Sequence, residues 1–226
     1  MKRLLFDIDG TLLETHGSGA DALRQTMIEE FKLENPNTEI AFGGRTDRSI
    51  AEELLRINGL PIDLEHRNRL FDAYSDRLPT ALSSRGGRVL PGVIELLETL
   101  RDQAKDFPLD VMTGNLAKTA RMKLEHFDLL SFFGEVHGGD LDVCRDAMAR
   151  RSAERIESHC SLPLVVIGDT VADIRCGRAI NAHVIAVATG SASRQALLSE
   201  AATGTDVVVF DSLASTDEVM GWISQK

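Results

Sequence analysis

The chain has 226 residues, 43% of them hydrophobic, with 35 Asp plus Glu against 25 Lys plus Arg and a formal net charge of -10. A chain this long and this apolar holds a core without metal or disulfide staples, and it is not disordered. The acidic balance argues against nucleic acid and anionic membrane surfaces as partners, because both demand basic patches, and it leaves open how an acidic substrate could approach.

The N-terminus, MKRLLFDIDG, reaches Asp7 after three apolar residues. That is too few for a signal peptide, and no run of the chain approaches the ~20 apolar residues of a membrane span. A short buried strand is predicted over 3–9. No buried-strand run follows between about 15 and 85. Instead there are three helical patterns, over 21–33, 47–57 and 64–78, read as an all-helical insertion. SSRGGR (83–88) reads as the return linker, and LPG (90–92) leads into a helix over 93–104. From there strands and helices alternate: strand 108–114, helices 117–127 and 144–159, strand 163–169, helix 172–180, strand 183–190, helix 193–202 and strand 206–212. The strands are short, β-branched or Leu-rich, and bounded by Gly, Asp or Pro. Asn181 reads as a left-handed C-cap. The alternation implies an α/β fold with a doubly wound, Rossmann-like parallel sheet. The expected domains are a core of 1–14 and 86–226 and an all-helical cap of 15–85.

Cys144, Cys160 and Cys176 are far apart and form no C-x-x-C pair, which argues against a disulfide framework or a Cys-based zinc site. A reducing, cytoplasmic setting is expected. His66, His126, His137, His159 and His183 are scattered, as ordinary surface or half-buried histidines are.

The strand ends carry the chemistry. The first ends in Asp7-Ile8-Asp9-Gly10-Thr11, the second in Thr113-Gly114-Asn115, and the third in Gly168-Asp169-Thr170 with Asp173 four residues past Asp169. Ligands of open α/β sheets bind outside the carboxyl ends of the strands, so these groups gather where a site is expected. One such strand end could be a helix cap; three together could not easily be. Asp7 and Asp9, two apart on extended chain, point the same way and would repel unless one is protonated or a cation intervenes. With Asp169 and Asp173 they make a set of hard oxygen ligands suited to Mg²⁺. A calcium loop does not fit, because Leu12 stands where that loop needs Gly and Ser18 where it needs Glu. Gly17-Ser18-Gly19-Ala20-Asp21-Ala22 matches a dinucleotide fingerprint but starts too far beyond the strand. No nucleotide P-loop occurs.

The succession FDIDGTL (6–12), MTGN (112–115), a later basic residue and IGDTVAD (167–173) resembles the haloacid dehalogenase superfamily, with LPGVIELLETL (90–100) and VATG (187–190) extending the likeness over essentially the whole chain. The helical insertion is similar to the cap of phosphoglycolate phosphatase-like and β-phosphoglucomutase-like members, and GGRTD (43–47) resembles a segment of the former. The resemblance implies a phosphatase of small phosphomonoesters, phosphoglycolate-like or sugar phosphate, or alternatively a phosphomutase; a non-catalytic phosphate-sensing module ranks below both. It implies Asp7 as nucleophile and Asp9 as acid and base. Mg²⁺ would be held by the Asp7 carboxylate, the Asp9 main-chain carbonyl, Asp169 and Asp173, and phosphate by Thr113, Gly114 and Asn115.

The family's usual third motif is a Lys before a Pro, and no Lys lies between Lys123 and Lys226. Arg145, Arg150 and Arg151 are the substitutes, and Arg145, at the opening of its helix, sits best. Their competing reading is a solvated helix face. Arg45, Thr46 and, near the hinge, His16 are candidates for leaving-group recognition, although Thr46 could instead cap the helix beginning at Asp47. The partner expected is a small phosphorylated metabolite, with neither nucleic acid nor membrane; a monomer and a homodimer both agree with the sequence.

Overall fold

A computed structural model describes residues 1–103, 106–158, 162–204 and 206–226. Among the described residues six parallel strands form one sheet: β1 (Arg3–Phe6), β4 (Leu109–Met112), β5 (Val136–His137), β6 (Leu164–Gly168), β7 (His183–Val187) and β8 (Val207–Phe210). Their order is β5-β4-β1-β6-β7-β8. From the central β1 the chain winds outward through β4 and β5, then returns to β1 through β6 and winds the other way. The strand order reverses at β1, so a crevice opens at the carboxyl ends of β1, β4 and β6.

Side-chain alternation divides the core between the two faces of the sheet. Leu4, Phe6, Val165, Ile167, Ile185 and Val187 pack on one face with helices α4 (Val93–Asp102), α5 (Ala117–His126) and α9 (Thr216–Gln225). Leu5, Leu164, Val166, Val184 and Ala186 pack on the other with α6 (Arg145–Glu157), α7 (Val171–Ala179) and α8 (Arg194–Ala201). Every strand predicted from its apolar run is present. The sequence reading missed α9, although Val219 and Ile223, four apart, are both fully buried. It also missed β5, whose two residues make too short a run to register. Asn181, just past α7, has the expected left-handed φ of 54°. Ala104 and His159, the last residues of two predicted helices, and Cys160 lie outside the described residues.

The helical stretch comprises α1 (Ser18–Glu29), α2 (Asp47–Ile57) and α3 (Leu64–Arg85), packed around Met27, Leu54, Leu55, Leu70, Leu78 and Leu82. The helix α3 runs on where a stop at Leu78 is predicted. Pro79 lies inside it, and Ala81 and Leu82 beyond remain buried. Proline costs a helix interior about 3 kcal/mol, but the apolar stripe continues on both sides, and burying one such side chain is worth roughly 1.5–3 kcal/mol. The first half of the expected linker is therefore helical: Ser83–Arg85 close α3, and Gly86 and Gly87 make the turn. The chain leaves the sheet and returns to it through a small antiparallel ribbon, β2 (Leu13–Glu14) against β3 (Arg88–Val89).

Candidate active site

The strand β1 stops at Phe6, one residue before the first carboxylate, so Asp7–Thr11 is loop rather than extended chain. Asp7 and Asp9 nevertheless line the same cavity, and the charge of Asp9 helps to raise the Asp7 carboxyl. Asp7, buried, turns to the end of β6, where carboxylate oxygens of Asp7, Asp169 and Asp173 lie within 4.8 Å of one another. Asp9 turns to the end of β4, where Asn115 donates to it at 2.8 Å. Gly10, at φ 82°, carries the loop close over Asp169: a Cβ there would stand 2.7 Å from one of its oxygens. Only glycine combines that conformation with that approach.

Each carboxylate has its own cation. The Arg145 guanidinium, at the start of α6, lies 3.6 Å from Asp7 and donates to Asp173. Of the three candidate arginines it is the one inside the site: Arg150 is exposed, and Arg151 braces a loop through Asp142 at 2.7 Å and the Gly138 carbonyl at 2.9 Å. Asp9 is held by a lysine that sequence reasoning passed over. Lys123, on α5, donates to both Asp9 oxygens at 2.8 and 2.6 Å and to Asn115 Oδ1 at 2.8 Å.

Thr113 is fully buried; its hydroxyl receives the Asn115 amide at 2.8 Å and lies against the Asp7 carboxyl. Asp173 also receives the Thr170 N–H at 3.0 Å and the Thr170 hydroxyl at 2.6 Å, closing the capping box that begins α7. Asp169 receives the Ser191 N–H at 2.9 Å, which explains the place of the VATG turn after β7.

The electrostatics are those of crowded acids. Burial, reinforced by Asp173 and Asp7, pushes the Asp169 carboxyl up to about 8. Burial raises Asp7 to about 6, although Arg145 pulls the other way. Arg145 itself is held above the usual guanidinium range: burial lowers it, but Asp173 and Asp7 outweigh burial. Three clustered carboxylates face one guanidinium, and Asp7 Oδ1 is buried without a hydrogen-bond partner. A divalent cation with a preference for hard oxygen donors would supply both the missing charge and the missing partner. The residues present fit Mg²⁺.

A cavity of about 330 Å³ lies over these groups, lined from the sheet by Asp7, Asp9, Asn115, Lys123 and Arg145 and from the helical layer by Leu23, Arg45, Asp47, Ile50 and Tyr74. The helical layer is seated closely on it. Asp47 N donates to the Gly114 carbonyl at 2.7 Å, and its carboxylate accepts the Leu116 N–H at 2.8 Å. That carboxylate serves the start of α5, where Leu116 has no capping side chain of its own. Gly114 lies against the Arg45 carbonyl, where any Cβ would clash. Burial lifts the Asp47 carboxyl to about 6, against the pull of Lys123. Asp47 was read only as the first residue of a helix.

The leaving-group candidates fare differently. Arg45 lines the cavity, but its guanidinium is engaged by Glu53, Ser49 and the Ala41 carbonyl. Thr46 is fully buried as the N-cap of α2, accepting from Ser49 N at 3.2 Å. His16 lies outside the lining, half exposed, with Glu14 3.0 Å away.

An α/β sheet with acid-bearing loops at the carboxyl ends of β1 and β6, a Thr-Gly-Asn turn after β4 and a buried arginine defines a class of hydrolase. Residues 4–187 match the haloacid dehalogenase-like hydrolase family, and the chain belongs to it. Within that family it stands with the phosphatases. It is 25% identical over 201 residues to a phosphoglycolate phosphatase of Mesorhizobium japonicum, covering 84% of each chain. It is 26% identical to the pyrophosphatase PpaX of Oceanobacillus iheyensis, covering 83% of this chain and 84% of that one. A predicted phosphatase from Clostridium acetobutylicum has the same fold, with a TM-score of 0.70 at 20% identity over 100% of this chain and 99% of the other.

Proposed function

We propose that the protein is a Mg²⁺-dependent phosphatase that hydrolyses a small phosphomonoester, phosphoglycolate-like or sugar phosphate, through an aspartyl-phosphate on Asp7. The observation that carries this reading is the buried Asp7 carboxylate, with one oxygen unpartnered, set among Asp169, Asp173 and Arg145 on the floor of the cavity. Asp7, Asp169, Asp173 and the Asp9 main-chain carbonyl would hold Mg²⁺, which when bound lessens the repulsion between a phosphate dianion and the attacking carboxylate.

The chain's own residues would do the rest. Asp7 forms a bond to phosphorus as the bond to the leaving oxygen breaks, and Asp9 gives that oxygen its proton. Asp9 then takes a proton from the water that attacks the aspartyl-phosphate, releasing inorganic phosphate and restoring both carboxyls. Arg145 and the Gly114 N–H would meet phosphoryl oxygens, and Thr113 and Asn115 would support them from beneath through their hydrogen bonds to Asp7 and Asp9. Residues 15–85 would act as a cap domain over a core of 1–14 and 86–226, excluding water and reading the leaving group through Arg45 and the neighbouring apolar wall. Thr46 would contribute by holding that loop in place. A cytoplasmic setting suits the free thiols of Cys144 and Cys176.

The test is phosphate release over a panel of phosphoglycolate, sugar phosphates, nucleotides and pyrophosphate, with Mg²⁺ and with chelator. Turnover should require the metal and vanish in Asp7→Asn. Normal turnover in that variant would remove Asp7 from the role of nucleophile.

A further inference from the structure

We infer that Lys123 is a positioning residue for Asp9, the group that aims the acid–base carboxyl at the leaving oxygen and at water. This rests on the reading of the site as a phosphatase and adds to it a residue outside the three strand-end motifs.

The argument begins with the donors. A lysine ammonium has three N–H bonds to give. Lys123 gives all three inside the site, two to the Asp9 oxygens and one to Asn115 Oδ1. Asn115 in turn spans Asp9 and Thr113 with its amide, 2.8 Å from each. The orientation of Asp9 is thus set from α5 by a closed triangle, with no freedom left to a surface side chain. Lys123 is buried, its side chain 5% exposed, although lysine is almost never buried without a specific partner. Lys123 and Asp9 both line the cavity, so the pair stands beside the space a substrate would enter. Arg145 does none of this; its contacts are with Asp7 and Asp173. The two cations therefore divide the work: Arg145 serves the nucleophile and Lys123 the acid.

Leaving-group dependence separates this role from a merely structural one. An alkoxide cannot leave without a proton, whereas nitrophenolate can. Lys123→Met should slow hydrolysis of an alkyl phosphate such as glycerol phosphate on the order of 10²-fold, within the range of a lost general acid. The first-turnover burst of nitrophenol from p-nitrophenyl phosphate should fall at least tenfold less. Lys123→Arg, which keeps a cation within reach of Asp9, should recover part of the alkyl-phosphate rate. Should Lys123→Met not fold, the comparison is made on Lys123→Arg and on Lys123→Ala supplied with ethylamine, where the amine should restore the alkyl-phosphate rate selectively. Equal losses on the two substrates, or no loss on either, would overturn the assignment. Wild-type turnover of both substrates, abolished in Asp7→Asn, separately establishes the phosphatase reading; a wild-type chain silent on both would sink that reading and this one with it.

Discussion

Arg145 and Arg150 share one helix and differ in everything that matters to a phosphate. Arg145 is buried against Asp7 and Asp173, and Arg150 is exposed. Arg145→Ala should lower turnover on the order of 10²–10³-fold, as the loss of one transition-state donor does, whereas Arg150→Ala should stay within about twofold. Steady-state rates on the best substrate of the panel decide it, and the reverse order would move the third motif to Arg150. Asp47 offers a prediction of a different kind. Its carboxyl, raised to about 6 chiefly by burial, holds its proton more tightly in the folded chain than in the unfolded one. It therefore favours the fold below the ordinary value of 3.8, and that contribution is lost as pH rises through 6. Asp47→Asn should raise Tm at pH 8 relative to wild type, and the gain should shrink toward pH 4. A gain that does not change with pH would mean that the carboxylate is not the cause.

At the scale of elements, α3 shows packing overriding local preference. Pro79 is exposed in the helix interior and forms no part of the apolar stripe. Pro79→Ala should therefore stabilise the protein by about 1–3 kcal/mol, since it restores a backbone donor. Leu54→Ala in α2 should cost about 2–5 kcal/mol, because Leu54 is fully buried in the core shared by the three helices. Chemical denaturation followed by circular dichroism measures both. A destabilised Pro79→Ala would show that the proline sets the course of α3 rather than merely being tolerated. The first residue of α2 has a second duty that its sequence does not advertise. Asp47 supplies the hydrogen-bond acceptor that the start of α5 lacks, so the helical layer and the site's own helix are joined at the end of β4.

For the molecule as a whole, the acids clustered at the sheet's edge make stability depend on pH and on metal. Asp169 and Asp7, raised to about 8 and about 6 mainly by burial, bind protons more readily folded than unfolded. Without metal the fold should therefore lose stability as pH rises from about 4 to 8, the window between the ordinary carboxylate value and the raised ones. A cation that binds only the ionised carboxylates should act in the opposite sense. The rise in Tm caused by Mg²⁺ should accordingly be larger at pH 8 than at pH 5, and chelator should abolish it. A shift that is the same at both pH values would argue against a site built on these acids.

Much of this was legible in the residues alone, because it depends on patterns local in the chain. The apolar runs LLF, VVI and VIAV specify buried strands, and the helices between them follow from periodicity; the three strand-end motifs point to one edge and to one family. The departures also have local causes: β5 is two residues long, and the pattern of α3 is interrupted by a proline. What the sequence could not decide are the pairings across it. Lys123 and Asp9 are 114 positions apart, and a lysine on an amphipathic helix reads as a solvated face until the fold buries it. The separate partners of Asp7 and Asp9 were likewise invisible, because they come from different strand ends and helices. Composition and spacing determined which groups assemble at the sheet's edge. Which carboxylate meets which cation was decided by tertiary packing, since burial sets the cost of leaving a charge unpaired and only the folded chain chooses the neighbours that can pair it.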